Sequence, residues 1–228
     1  LIWFHGSSVG EVLSVIPLIE KLEKRNDIKK ILITSNTLSS SKVISKLNLK
    51  KTIHQFFPFD TNFLSKKFVE NWKPDLAIFI ESEIWPNSII NIKKANIPLI
   101  LLNARITKNT FKKWKKINFF SKNIFKKFDL CLAQNFETKN YLKKLGAINI
   151  KQVGNLKFCE TKTKFYNKIK DHRIKFLKTK KILFCASSTH STEEIFFSKV
   201  FIELSKTYKD AISIIIPRHP DRKSFVKK

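Results

Sequence analysis

Methionine is absent from all 228 residues, arginine is scarce and cysteine occurs three times. The missing methionine extends to position 1, where Leu1-Ile2-Trp3-Phe4 reads as a strand already under way, so a natural N-terminus is expected to precede it. Ser224 to Lys228 likewise read as the first turn of a cut helix, and truncation is expected at both ends. No apolar run reaches the roughly 18–20 residues that span a bilayer, and no signal peptide is recognisable. Cys131, Cys159 and Cys185 form no CxxC pair, and no histidine lies at zinc-ligand spacing from them. They read as buried free thiols of a reducing compartment. His5, His54, His172, His190 and His219 make no metal constellation. The motifs GxxxxGK(S/T), GxGxxG and GxSxG are all missing, which removes the main support for P-loop, dinucleotide-binding and α/β-hydrolase readings.

Arginine supplies only Arg25, Arg105, Arg173, Arg218 and Arg222 of the 45 basic residues, against 18 acidic ones, for a net charge of +27. Nucleic-acid readers lean on Arg for bidentate contacts, so no nucleic-acid partner is expected. A basic surface facing an anionic membrane stays open, and biased codon supply accounts for the lysine surplus equally well.

Hydrophobic residues make up 43% of the chain, enough for a real core. Short apolar runs at 1–5, 31–35, 53–57, 76–80, 98–103, 129–134, 150–153, 182–186 and 211–216 read as strands. Several are continuously apolar, notably 76–80 and 212–216, which implies burial on both faces of a parallel sheet. Helical stretches are expected between them at 10–25, 39–47, 62–72, 86–95, 109–127, 136–145, 162–178 and 191–208, with Pro17 a candidate kink. Such alternation predicts doubly wound α/β sheets. The Lys-rich stretch 154–181 reads as a connection, giving one Rossmann-like domain over 1–155, then a linker and the beginning of a second over 156–228.

In open parallel sheets, chemistry gathers at the carboxyl ends of strands and the helix starts that follow. Four places qualify. His5-Gly6-Ser7-Ser8-Val9-Gly10-Glu11 puts Glu11 in a first helical turn, either as a capping acid or facing a ligand. Glu81-Ser82-Glu83-Ile84-Trp85-Pro86-Asn87 follows a buried run; one acid caps the next helix or faces Glu11. Gly154-Asn155-Leu156-Lys157-Phe158 offers a point charge at the junction of the two units. Ala186-Ser187-Ser188-Thr189-His190 and Pro217-Arg218-His219-Pro220-Asp221-Arg222 suggest an anion cradle with planar guanidinium forks.

Together these segments, with Asn103-Ala104-Arg105, Ala133-Gln134-Asn135 and Glu193-Glu194, resemble the 3-deoxy-D-manno-octulosonic acid (Kdo) transferase family over essentially the whole chain. The resemblance implies a GT-B-type fold of two Rossmann-like domains, the second truncated here. It implies inverting transfer of Kdo from CMP-Kdo to lipid IV-A in lipopolysaccharide synthesis, with no cofactor and no metal, at the cytoplasmic face of the bacterial inner membrane. Glu11 is then the general base, assisted by Glu81 and Lys157. Ser8, Glu83, Arg105, Ser188, Thr189, His190, Arg218 and His219 are then substrate-binding, Arg218 and His219 at the CMP moiety. The basic, aromatic helix over 109–127 is the candidate contact with anionic lipid. Cys159 replaces the family's usual Asp and Thr192 its usual Gly. Later nucleotide-site segments and an N-terminal anchor are expected beyond this stretch, which by itself is expected not to transfer sugar. Alternatives are a GT-B enzyme for another nucleotide sugar, or a non-catalytic basic module binding membrane or nucleic acid.

Overall fold

The computed structural model describes residues 1–159 and 182–219. The helix expected over 162–178, Arg222 and the C-terminal turn lie outside the described residues. The chain divides into two compact units, Leu1–Thr163 and Lys164–Lys228.

In the first unit the apolar runs become seven strands: β1 (Ile2–His5), β2 (Ile31–Ser35), β3 (Thr52–Phe56), β4 (Leu76–Ile80), β5 (Leu99–Ala104), β6 (Leu130–Ala133) and β7 (Ile150–Gln152). They pair in parallel in the order β3-β2-β1-β4-β5-β6-β7. The winding direction therefore reverses between β1 and β4, where open α/β sheets place their ligand crevice. Continuity of the apolar runs follows from burial on both faces. Successive residues Trp3 and Phe4 enter opposite clusters, Trp3 with Phe68, Phe79 and Ile89, and Phe4 with Val12, Val15 and Ile33.

Helices α1 (Val9–Glu23) and α2 (Leu38–Ser45) cover the Phe4 face. The Trp3 face is covered by α3 (Asn62–Trp72), α4 (Pro86–Lys94), α6 (Asn118–Phe125) and α7 (Phe136–Leu145), with α5 (Lys108–Lys116) at its margin. Ser8, Thr37, Thr61, Thr107 and Asn135 cap their helices through side-chain oxygens, satisfying amides that otherwise lack partners. α1 runs through Pro17 without a break.

The helix expected over 109–127 is two helices, α5 and α6, meeting at Ile117 (φ −108°, ψ 48°). Packing explains the break. Along a straight helix, residues 114 and 125 would be about 16 Å apart, whereas the Trp114 and Phe125 rings meet edge-on with centroids 5.4 Å apart.

The second unit shows β8 (Ile182–Thr189), α8 (Glu193–Thr207) and β9 (Ala211–Pro217), with β8 and β9 parallel. Phe184 stacks on Phe197 of α8, centroids 4.7 Å apart. Among the described residues the expected two-sided burial of 212–216 is not seen: β9 is half-buried, and Leu183 and Ile216 are exposed. The buried-thiol expectation holds for Cys131, whose thiol burial pushes up to about 12, and fails for Cys185, which is exposed. The physical reason is the alternating burial of β8, in which Cys185 falls on the uncovered side among the described residues.

Candidate functional site

Strand β1 delivers His5 to the switch point fully buried, its ring stacked on Phe57 at 3.8 Å and edge-on to Phe79 and Trp85. Burial pulls the imidazole below its ordinary range, against the opposing pull of Glu83. Its Nδ1 lies 3.0 Å from Thr34 Oγ1 and its Nε2 3.0 Å from Glu83 Oε2. A neutral ring with the proton on Nε2 donates to the carboxylate and leaves Nδ1 to compete with Phe4 O, 3.3 Å from Thr34 Oγ1, for the one Thr34 hydroxyl proton. Gly6 follows in a tight space: a Cβ there would lie 3.1 Å from both Glu11 Cβ and Ile80 Cδ1, so one of those side chains would have to shift by a few tenths of an ångström.

The loop then enters α1 through a reciprocal cap. Glu11 donates its backbone N–H to Ser8 Oγ (3.3 Å), and its carboxylate accepts from Ser8 N (2.8 Å). Glu11 is thus a capping acid and something more. Burial pushes its carboxyl above the usual range, and the charges of Glu83 and Glu81 push the same way, outweighing the Ser8 bonds. Three carboxylates converge here.

The two acids after β4 differ sharply. Glu81 sits in the left-handed region (φ 56°), costly for a residue with a Cβ. Its N–H donates to Leu102 O and its carbonyl accepts from Arg105 N, locking the ends of β4 and β5 together. Its buried carboxylate meets Lys157 Nζ at 2.7 Å. Glu83 is also buried, and its Oε2 alone accepts from His5 Nε2, Ser7 Oγ and Trp85 Nε1 (2.7 Å). Burial alone would raise the Glu83 carboxyl, but these donors hold it below the usual range. Of the two readings of this pair, a cap for α4 or a charge facing Glu11, the second agrees with the push of both acids on the Glu11 carboxyl, and neither acid takes the cap. Asp60, from the loop before α3, accepts from Asn87 N (3.0 Å), Ser88 N (2.8 Å) and Ser88 Oγ (2.7 Å). Both glutamates turn inward to Lys157 and His5, leaving the helix start to a third acid.

Ser8, Glu11, Glu81, Glu83 and Lys157 thus gather around the β1 and β4 ends. Arg105 is joined by its backbone while its side chain is exposed. The remaining expected residues form a group in the second unit. Ser188 is left-handed (φ 61°), buried Thr189 donates to Glu194 Oε1 (3.0 Å), and Arg218 N donates to Thr189 O (3.0 Å). The His190 and His219 rings lie 6.5 Å apart, and Ser188, His190, Arg218 and His219 are exposed. The first turn of α8 carries Glu193 and Glu194, and Glu193 accepts from His190 N (2.8 Å). The expected anion cradle is therefore narrower: the protein's own acids take part of the helix start, and the groups facing solvent are side chains.

Sequence reasoning did not single out His5, Ser7, Asp60 or Asn103 as site residues. His5 carried one signal, a polar residue closing an apolar strand. Among the described residues no group of three or more His, Cys, Asp or Glu is arranged to hold a metal ion, and no helix is long and apolar enough to cross a membrane.

Comparison with known proteins meets this geometry. Residues 1–160 match the family model described as 3-deoxy-D-manno-octulosonic-acid transferase (kdotransferase). The chain is 37% identical over 226 residues to the 3-deoxy-D-manno-octulosonic acid transferase of Rickettsia bellii, covering 97% of this chain and 53% of that protein. It is 29% identical to the enzyme of the same name from Haemophilus influenzae, covering 99% of this chain and 53% of that one. The chain thus spans about half the length of the curated relatives it matches. Among solved structures, UDP-N-acetylglucosamine 2-epimerase from Rickettsia bellii superposes with a TM-score of 0.62 at 16% identity, covering all of this chain and 64% of that one. That likeness is one of fold, the Rossmann-like α/β architecture shared by GT-B glycosyltransferases and epimerases.

Proposed function

Since this chain belongs to the 3-deoxy-D-manno-octulosonic-acid transferase family, we propose that the protein containing it transfers Kdo from CMP-Kdo to lipid IV-A in lipopolysaccharide synthesis. Glu11 carries the reading: it stands at the switch point of the sheet, half-buried, with a carboxyl held above the usual range. A base with a raised pKa is better matched to taking a hydroxyl proton near neutral pH than an ordinary carboxylate.

In the proposed step, the acceptor hydroxyl oxygen attacks the anomeric carbon of Kdo while Glu11 takes its proton. The bond from that carbon to the phosphate oxygen breaks, and CMP leaves with the electron pair. No covalent enzyme intermediate is involved. Lys157, oriented by Glu81, offsets charge that develops in the transition state, and the exposed Arg218 of the second unit binds the CMP moiety. His219, Ser188, Thr189 and His190 belong to the donor side, and Ser8, Glu83 and Arg105 to the acceptor side. The step requires no metal or cofactor. α5 buries no residue and carries Lys108, Lys112, Lys113, Lys115 and Lys116, with exposed Ile117 and Phe119 following. This supports a place against the anionic cytoplasmic face of the inner membrane.

The test is Glu11→Gln in the full protein. Loss of a general base costs about 10²–10⁴-fold in kcat, with CMP-Kdo binding little changed. Near-normal turnover refutes the assignment. Competition by CMP and not by UDP separates this donor from other nucleotide sugars.

A further inference from the structure

Asn103 is the penultimate residue of β5 and is fully buried, with a left-handed backbone (φ 54°). The β5–β6 register shifts between Leu101 and Ala104, an irregularity of the kind that re-aims a side chain beside a site. Here the Asn103 side chain leaves the ladder and its Oδ1 accepts from Leu156 N at 3.0 Å, across 53 residues. Its own carbonyl accepts from Gln134 Nε2 at 2.9 Å, which fixes the backbone from the other side. The amide nitrogen, Nδ2, is buried without a hydrogen-bond partner among the described residues. Asparagine is among the few residues with a Cβ that tolerate the left-handed region, but its unpaired buried donor is costly. What the residue secures is the turn Leu156–Cys159. The next residue in that turn is Lys157, whose Nζ meets Glu81 at 2.7 Å, and Glu81 is itself locked to β5 through Leu102 and Arg105.

We propose that Asn103 is a positioning residue: its amide oxygen anchors the Leu156 turn so that Lys157 is held on Glu81 at the reacting end of the site. This rests on the transferase reading only for its catalytic consequence; the anchoring itself is testable without turnover. Asn103→Gly keeps the left-handed backbone accessible and removes the anchor, whereas Asn103→Asp keeps the acceptor oxygen.

In the full protein, reductive methylation with formaldehyde, read by mass spectrometry, reports how firmly Lys157 Nζ is held. Asn103→Gly should raise the Lys157 rate about two- to fivefold, the range expected on releasing a half-exposed ion pair, with other lysines unchanged. Asn103→Asp should return it towards the native rate. In transfer assays Asn103→Gly should lower kcat about tenfold while both KM values stay nearly constant. In the unmodified protein the Leu156 amide should be protected from hydrogen exchange, a measurement that stands even if a variant does not fold. An unprotected Leu156 amide or an unchanged Lys157 rate overturns the anchoring. Faster labelling with unchanged kcat overturns the positioning role. Loss of activity in Glu11→Gln but not in Asn103→Gly would separate failure of this inference from failure of the functional reading.

Discussion

Glu83 concentrates more on one atom than any other side chain of the site, and its removal should be felt first in stability. Its Oε2 receives His5 Nε2 at 3.0 Å, Trp85 Nε1 at 2.7 Å and Ser7 Oγ. In Glu83→Ala the half-buried Ser7 and Trp85 can turn to water. His5, with no exposed surface, cannot, and an unsatisfied buried donor costs about 1–3 kcal/mol. Adding the lost charge-assisted bonds gives about 3 kcal/mol in all, within the range for breaking a buried pair. At this chain length that is a fall in Tm of about 6–12 °C. Glu83→Gln keeps an acceptor and should lose only about 1 kcal/mol. All four tryptophans, Trp3, Trp72, Trp85 and Trp114, lie in the first unit, so fluorescence follows that unit's unfolding. A second signature comes from pH. The folded-state pKa of Glu83 is depressed, so its contribution is fully present above the unfolded value near 4.5 and is lost as pH falls through the lower folded value. The gap between native protein and Glu83→Gln should therefore be constant above about pH 5 and shrink below pH 4.5. A Glu83→Ala loss under about 1 kcal/mol, or a gap that does not shrink on acidification, would refute the reasoning.

Asp60→Ala removes the cap of α4 from a loop well outside the helix and should cost about 1–2 kcal/mol, read as a Tm fall of about 2–8 °C with transfer retained. In the full protein, kcat/KM should fall with decreasing pH through an acid limb above 4.5, because burial and the neighbouring Glu83 and Glu81 charges raise Glu11. Glu83→Gln removes one of those charges and should move the limb to lower pH; an unmoved limb would mean Glu11 does not govern it.

The strands of the first unit were legible because burial on both faces writes itself as unbroken runs such as Leu76–Ile80, and the helices because apolar residues recur at helical spacing, as Val12, Ile16 and Ile19 do in α1. What escaped the sequence was non-local. Nothing at Ile117 signals a break; the contact of Trp114 with Phe125 makes it. Glu81 and Glu83 are two acids two residues apart, and only the left-handed turn at Glu81 sends one to Lys157 and the other to His5. Asp60 caps a helix through amides 27 and 28 residues downstream, a separation over which no local pattern carries information. The role of Asn103 depends on a register shift between β5 and β6 that composition cannot encode.

The central position of β1 has a consequence in time. Ile2 pairs with Ile31 on one side and with Leu76 on the other. During synthesis at about 5–20 residues per second, β4 follows β1 by about 4–15 s. Throughout that interval one row of the β1 backbone N–H and C=O groups stays open beside the apolar residues Trp3 and Phe4, a template for a holding chaperone or for another nascent chain. Glu11 and Glu81 become neighbours only when β4 docks, so a ribosome-bound intermediate shorter than this carries no assembled site.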